Sequence, residues 1–498
     1  MKKVVVIGSG FAGLSAASFM SKAGWEVTVV EKHSIPGGRA RKFLANGFSF
    51  DMGPSWYWMP DVFERYFKSF GKLPSDYYRL KRLDPSYRIF FEDSVMDIPA
   101  NYSKLKELFE KTSPGSAQQL ERFLEEAAFK YDVGINKLVH KPGRSLTEFV
   151  DIDLAKGVLK LDVFTSMKKH IRKYFNHPRL IQLLEFPVLF LGALPENIPA
   201  LYSLMNYADI KLGTWYPAGG MYEVVNGMYQ LCQELGVQFS FNCNVDELLL
   251  EKNEIIAVKA VSTLTESEEV KIFQADVVIG AADYHFIETV LLPVKLRSYS
   301  NKYWDSRVMA PSCLLYYVGI NRKLKNVLHH SLFFDVDFDE HAREIYDQPQ
   351  WPAAPLFYVS ATSVTDNSVA PEGMENLFFL IPIASGLTGD TEILKNEYFE
   401  KILRRFEDRI GESIAENIIY KKSYAVKDFV NDYNSFKGNA YGLANTLMQT
   451  AIFKPRLKSK KIKNLFYTGQ LTVPGPGVPP SLISGEVVAK QVVKEFEN

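Results

Sequence analysis

The chain is poor in the residues that build metal centres and disulfide frameworks. It has 3 cysteines and 8 histidines in 498 residues. Cys232, Cys243 and Cys313 lie far apart and without metal-ligand spacing. A disulfide scaffold is therefore not expected, and a reducing cytoplasmic setting is. No group of His, Cys and carboxylate residues stands at ligand spacing, so no metal is expected. Net charge is also missing, with 58 basic and 58 acidic residues. That balance excludes the basic footprint of a nucleic-acid binder. No apolar run reaches the length of a membrane-spanning helix. Internal repeats and low-complexity linkers are absent too. Lys2-Lys3 before an apolar run imitates the start of a signal peptide, but the glycine spacing that follows argues against one.

What is present is a chain long enough for two or three domains, with 13% aromatic residues for a large apolar interior or pocket. Its most informative segment comes first. Val4-Val5-Val6-Ile7 runs into Gly8-Ser9-Gly10-Phe11-Ala12-Gly13, then a helix-like stretch, then Val27-Thr28-Val29-Val30 ending on Glu31. This order predicts a βαβ dinucleotide-binding unit. Gly8 permits the tight turn, Gly10 lets a pyrophosphate approach the backbone, and Gly13 lets the helix pack on the sheet. The helix start favours phosphate charge. Glu31 stands near the spacing of an acid that binds a ribose hydroxyl.

The residues after the acid favour FAD over NAD. Pro36-Gly37-Gly38-Arg39 makes a second glycine turn with a cation to balance the pyrophosphate, and Phe50-Asp51-Met52-Gly53-Pro54-Ser55 is another tight turn. Near the other end, Asn464 to Gly469-Gln470 reads as a strand ending in glycine. Pro474-Gly475-Pro476-Gly477-Val478-Pro479-Pro480 follows, with a last helix expected from about Ser481. A glycine turn at a helix N-terminus suits the flavin ring, whose reduced form carries negative charge.

The expected fold is α/β. A discontinuous FAD-binding Rossmann-like domain comprises residues 1–75, 216–283 and 461–498. Residues 76–215 read as a mainly helical, membrane-associating and substrate region, and 284–460 as a substrate-binding domain.

These segments resemble the bacterial-type phytoene desaturases of the carotenoid and retinoid oxidoreductase family. The likeness is carried by the Gly8–Arg39 unit, Phe50 to Trp56, Gly213 to Met221, and above all Asn464 to Pro479. It implies a para-hydroxybenzoate-hydroxylase-like fold, FAD as redox cofactor, and a long apolar carotenoid (phytoene or a later intermediate) as substrate. It places Gly8, Gly10, Phe11, Ala12, Gly13, Glu31 and Lys32 on the ADP half of the cofactor. It also implies cofactor contacts at Gly38, Arg39, Gly53, Pro54 and Ser55, at Val245 through its backbone, and at Gly469, Gln470, Gly477 and Val478. Gln470 is a departure, because many relatives carry an acid there.

The most apolar surface candidate is Leu180 to Leu194, broken by Glu185, Pro187 and Pro195 and preceded by the basic Lys168 to Lys173. Such a pair suits attachment to the inner face of the cell membrane, from which a C40 hydrocarbon would arrive. An ordinary core segment beside a solvated basic helix is the plainer alternative. The resemblance implies hydride transfer from a polyene carbon to flavin, with oxygen or a quinone as final acceptor. No catalytic acid or base is assigned, since spacing puts no Asp, Glu or His at the flavin. Trp56, Tyr57, Trp58 and Met59 are candidates for the substrate tunnel or for core. A hydroxycarotenoid 3,4-desaturase is the alternative within the enzyme class; a flavin amine oxidase and a non-catalytic lipid binder are weaker rivals.

Overall fold

A computed structural model describes residues 1–145, 148, 161–189, 191–264 and 269–497. The apolar run Lys3–Ile7 (β1) is the middle of a parallel five-stranded sheet. Phe11–Lys22 (α1) follows, and then Glu26–Val30 (β2). The order across the sheet is Leu465–Tyr467, Val277–Gly280, β1, β2 and Gln238–Ser240. The strands thus come from three separated stretches of chain.

Side chains alternate across β1, as the period of a strand requires. Val4 and Val6 pack with Leu14 and Ala17 of α1, and with Val225 and Leu482 of two further helices. Val5 and Ile7 pack on the other face with Val245, Leu248 and Val258. That face is covered by a three-stranded antiparallel sheet, Cys243–Glu251, Glu254–Ser262 and Val270–Gln274. Both faces are therefore buried, which is why β1 reads as an unbroken apolar run.

A second sheet has seven strands, in the order Ile418–Tyr424, Ser312–Ile320, Glu375–Ile383, Phe357–Ser360, His330–Phe334, Tyr87–Phe91 and Val95–Ile98. Its pairs are antiparallel except Tyr87–Phe91 beside His330–Phe334. The helix Glu392–Ile410 covers one face through Phe399, Ile402 and Phe406. The other face turns Leu315, Tyr358, Phe378 and Leu380 towards the cleft between the sheets.

Two differences from expectation stand out. Residues 76–215 open with strands, and Tyr87–Ile98 joins the large sheet. Its partner lies far along the chain, at Ser331–Phe334, so local pattern carries no trace of the pairing. The apolar stretch expected at the surface is core instead. Leu180, Leu183, Leu184, Phe186 and Val188 are buried, and Glu185 beneath them is paired with Arg172. Phe190 lies outside the described residues. The preceding basic residues are also held by acids, Lys168 by Glu196 and Lys173 by Glu126. No helix among the described residues is long and apolar enough to cross a membrane.

Candidate cofactor and substrate site

Between the two sheets runs a long cleft, open at its mouth, with a cavity volume of about 400 Å³. The turn after β1 forms one end. Gly8 takes φ +100°, a conformation that disfavours any residue with a Cβ. A Cβ on Gly13 would lie 2.0 Å from the Gly8 carbonyl oxygen, so Gly13 sits behind the turn and seats α1 on it. A Cβ on Gly10 would meet nothing within 4 Å, because that position faces the cleft. Gly10 also brings no side-chain cap to α1, so the first-turn N–H groups at Phe11 and Ala12 are left for a ligand.

Glu31 is buried at the end of β2 and already oriented. One of its oxygens accepts from the Ser9 N–H at 2.8 Å and the Ser9 hydroxyl at 2.7 Å, and the other from the His33 N–H at 3.0 Å. Lys32 and Val245 line the cleft beside it. The Lys32 ammonium donates to the Asn431 carbonyl at 2.8 Å, and burial lowers its pKa.

Gly38 rests on Gly10, and Gly37 N–H donates to the Ser9 carbonyl at 2.9 Å. This clamps the second glycine turn to the first and delivers Arg39 to the cleft. Arg39 Nη2 donates to Ser435 Oγ at 3.0 Å and to the Asn439 carbonyl at 3.3 Å. Its Nε is buried with no hydrogen-bond partner among the described residues. Gly53 lies against the Arg39 carbonyl, where a Cβ would approach to 2.5 Å, and Pro54 and Ser55 continue along the wall.

At the far side, Gly469 N–H donates to Ser484 Oγ at 3.0 Å. Gln470 lies beside Arg39. Gly477, at φ +112°, is the uncapped N-cap of the helix Val478–Phe496. That helix starts before Ser481, because prolines are tolerated in a first turn whose N–H groups have no helical partner. Every residue expected at the cofactor therefore lines one cleft, except Gly13.

The structure adds a group not expected from sequence. Asp283 closes the strand Val277–Gly280 and borders the cleft. It accepts from the Phe286 N–H at 3.1 Å and the Phe436 N–H at 3.2 Å, and burial lifts its carboxyl to about 6 against the pull of Arg39. The Ala281-Ala282-Asp283 sequence after an apolar run was its available signal. Of the aromatic segment, Trp56, Trp58 and Met59 line the cleft, whereas Tyr57 is core and pairs with Tyr78 at 3.0 Å. Away from the cleft, Glu126, Asp162 and His170 converge. The buried Lys130 already supplies a cation there, with Nζ 3.0 Å from Asp162 and 3.3 Å from His170 Nε2.

The donor set fits FAD. A Cβ-free face at Gly10, two uncapped helix starts and the unpartnered Arg39 Nε all present positive or donor character to one space. Beyond them the wall turns apolar through Leu191, Met205, Leu315, Phe378 and Leu380. A second, small apolar cavity of about 60 Å³ adjoins it and shares Tyr358, Leu380 and Tyr441 as common wall.

Comparisons with known proteins agree with this geometry. Residues 11–493 match the family described as flavin containing amine oxidoreductase. The chain is 41% identical over 495 residues to a carotenoid 3,4-desaturase of Haloarcula japonica, covering 99% of this chain and 98% of that one. It is 30% identical to a 4,4'-diapophytoene desaturase (4,4'-diaponeurosporene-forming) of Staphylococcus haemolyticus, with 99% of both chains covered. A zeta-carotene-forming phytoene desaturase of Myxococcus xanthus is 28% identical over 99% of this chain and 94% of that one. Among solved structures, a redesigned putrescine oxidase superposes with TM-score 0.62 at 12% identity over 99% of each chain, which shows the shared fold. The chain belongs to the flavin-containing amine oxidoreductases, in their carotenoid-desaturase branch, and is an FAD-dependent oxidoreductase acting on CH–CH bonds.

Proposed function

We propose that this protein introduces a trans double bond at the 3,4 position of an acyclic carotenoid. The observation that carries this reading is the 41% identity with a carotenoid 3,4-desaturase along nearly the whole chain, against 28–30% for the diapophytoene and phytoene desaturases. The cleft residues named above would hold FAD, which would supply a hydride acceptor for a saturated carbon of the substrate.

The chain's own residues bind and align. Gly8, Gly10, Glu31, Gly38 and Arg39 hold the ADP half, and Gly469, Gln470, Gly477 and Val478 border the flavin half. Leu191, Leu315, Phe378 and Leu380 exclude water and keep the hydrocarbon in register. An unreactive CH–CH bond needs this alignment more than it needs polar contacts.

A water-insoluble substrate calls for peripheral contact with the membrane, at the cytoplasmic face. Val308, Leu447, Met448 and Phe453 are exposed apolar side chains, Met448 the most at 65%. They are neighbours, since the Gln449 amide bonds both backbone groups of Val308 at 2.8 and 2.9 Å. We assign membrane contact to this patch in place of the stretch from Leu180 to Val188, whose apolar side chains are buried. Oxygen or a membrane quinone would serve as the final electron acceptor.

A second reading is phytoene desaturation, supported by the Myxococcus relative. The test is incubation of the FAD-loaded chain in liposomes with phytoene, with lycopene and with a hydroxylated carotenoid. A longer chromophore from lycopene or its hydroxylated form is expected. Conversion of phytoene alone selects the second reading, and no turnover of any of them overturns both.

A further inference from the structure

We infer that Tyr358 and His330 form the proton-accepting relay of the desaturation, Tyr358 at the substrate and His330 behind it. This rests on the carotenoid-desaturase reading above.

Tyr358 stands at the apolar end of the cleft, on a wall that a long hydrocarbon would follow. It lines both the cofactor cleft and the second apolar cavity, so a hydrocarbon reaching from one to the other runs by its hydroxyl. That hydroxyl lies 2.9 Å from Ser55 Oγ, on the cofactor side, and 2.6 Å from His330 Nδ1 on the neighbouring strand. Otherwise the surrounding wall is mostly apolar.

His330 is fully buried, and its Nε2 has no hydrogen-bond partner among the described residues. An unmade buried bond of this kind costs about 1–3 kcal/mol, so a packing role alone does not account for an imidazole there. The ring is stacked on Trp56, with centroids 4.1 Å apart and planes 11° from parallel. That indole face is placed to stabilise the ring when it becomes cationic.

The chemistry needs such a group. Desaturation removes two hydrogens from adjacent carbons. One leaves with its bonding pair, as hydride to FAD, and the carbon left behind is a cation conjugated with the polyene. The neighbouring C–H then breaks, its electron pair becomes the π bond, and its proton goes to Tyr358 Oη. The proton of Tyr358 moves in the same step to His330 Nδ1, giving imidazolium. A C–H beside a carbocation is strongly acidic, so a weak base serves. After the product leaves, the proton passes from His330 through the Tyr358 and Ser55 hydroxyls to water in the open cleft, which restores the phenol and the neutral imidazole. Burial sets the starting state, because it raises the Tyr358 hydroxyl and, with His329 beside it, lowers His330 well below its ordinary value. The phenol is thus protonated and the imidazole neutral at physiological pH.

The test uses the full FAD-loaded chain, with His330→Gln and the nearly isosteric Tyr358→Phe. Three quantities are read: FAD content, carotenoid affinity by quenching of tryptophan fluorescence, and single-turnover product formation. The last uses carotenoid deuterated at the proton-losing carbon. FAD content and affinity are expected within twofold of wild type. Product formation is expected to slow by about a hundredfold to a thousandfold, with a larger isotope effect at that carbon. An unchanged rate or isotope effect in Tyr358→Phe overturns the relay, as does loss of carotenoid binding as the only change. If wild type itself converts no carotenoid, the underlying functional reading has failed instead. If wild type is active and Tyr358→Phe is unaffected, the relay alone has failed.

Discussion

Gln470 and Arg39 meet in the cofactor cleft. With the amide turned so that its oxygen faces the guanidinium, it accepts from Arg39 Nη2 at 2.9 Å and Nη1 at 3.2 Å. In that orientation its nitrogen donates to the Tyr441 carbonyl at 3.2 Å. The amide steers the arginine without neutralising it. Asp283 is the remaining opposing charge, and its own ionisation is resisted by burial.

Gln470→Glu therefore places a full negative charge on the guanidinium that faces the cofactor phosphates. The FAD dissociation constant is expected to rise about tenfold, equivalent to ~1.4 kcal/mol, with little change in folding. Flavin fluorescence titration of the apoprotein measures it. An unchanged constant would show that the Arg39 charge is not directed at the cofactor.

Gly10 and Gly13 separate binding from folding. A methyl on Gly10 meets no protein atom within 4 Å and projects into the cleft. Gly10→Ala should melt like the wild-type apoprotein yet lose at least tenfold in FAD affinity. A methyl on Gly13 falls 2.0 Å from the Gly8 oxygen, and neither backbone has room to move. Gly13→Ala should cost about 1–3 kcal/mol of stability or fail to fold. Thermal melts of the two apoproteins, with FAD titrations, distinguish them, and equal melting points would contradict this division.

Why these glycines were legible from sequence, and other groups were not, follows from range. Gly8, Gly10, Gly13 and Glu31 encode a local path of the backbone, which residue type and spacing reveal. The last turn, at Gly477, is of the same kind. Arg39 is local in origin, but its partners Ser435 and Asn439 are about 400 positions away. Tyr358 and Ser55 are 303 positions apart, and only the sheet order brings His330 to them. The 180–194 stretch shows the limit most plainly. Its hydrophobicity correctly demands burial, but whether lipid or protein provides it depends on what packs above. Here that is protein, including Trp56 and Tyr87 against Phe186.

The exposed patch at Val308, Leu447, Met448 and Phe453 gives a direct test of substrate loading. Moving one such side chain into an apolar phase gains about 1.5–3 kcal/mol, so two charged replacements should be decisive. The double variant Met448→Lys, Phe453→Lys is expected to lose at least tenfold in liposome binding by flotation. Turnover of detergent-solubilised carotenoid should stay near wild type, because neither side chain lines the cleft. Undiminished flotation would move the membrane contact elsewhere on the surface.

Lys454 carries a cost that is measurable through pH. It is buried behind the Pro474–Pro480 turn, its ammonium has no hydrogen-bond partner among the described residues, and burial lowers it to about 7. Asn445 Oδ1, also unpartnered, and Lys454 Nζ lie 2.9 and 3.1 Å from where a Cβ on Gly475 would stand. Below pH 7 the lysine is charged in both folded and unfolded chains, so the folded state bears the whole desolvation penalty. Between pH 7 and its ordinary 10.5 the unfolded chain holds the proton and the folded one does not, so stability rises with pH. Above that range both forms are neutral and the penalty is gone. Lys454→Met should thus be more stable than wild type at neutral pH, by an upper figure on the order of 4 kcal/mol. The advantage should shrink steadily as pH rises towards 10.5. Denaturant unfolding of the two apoproteins across that window tests it. A difference that does not vary with pH would mean that the gain comes from packing of the methionine and not from removal of a buried charge.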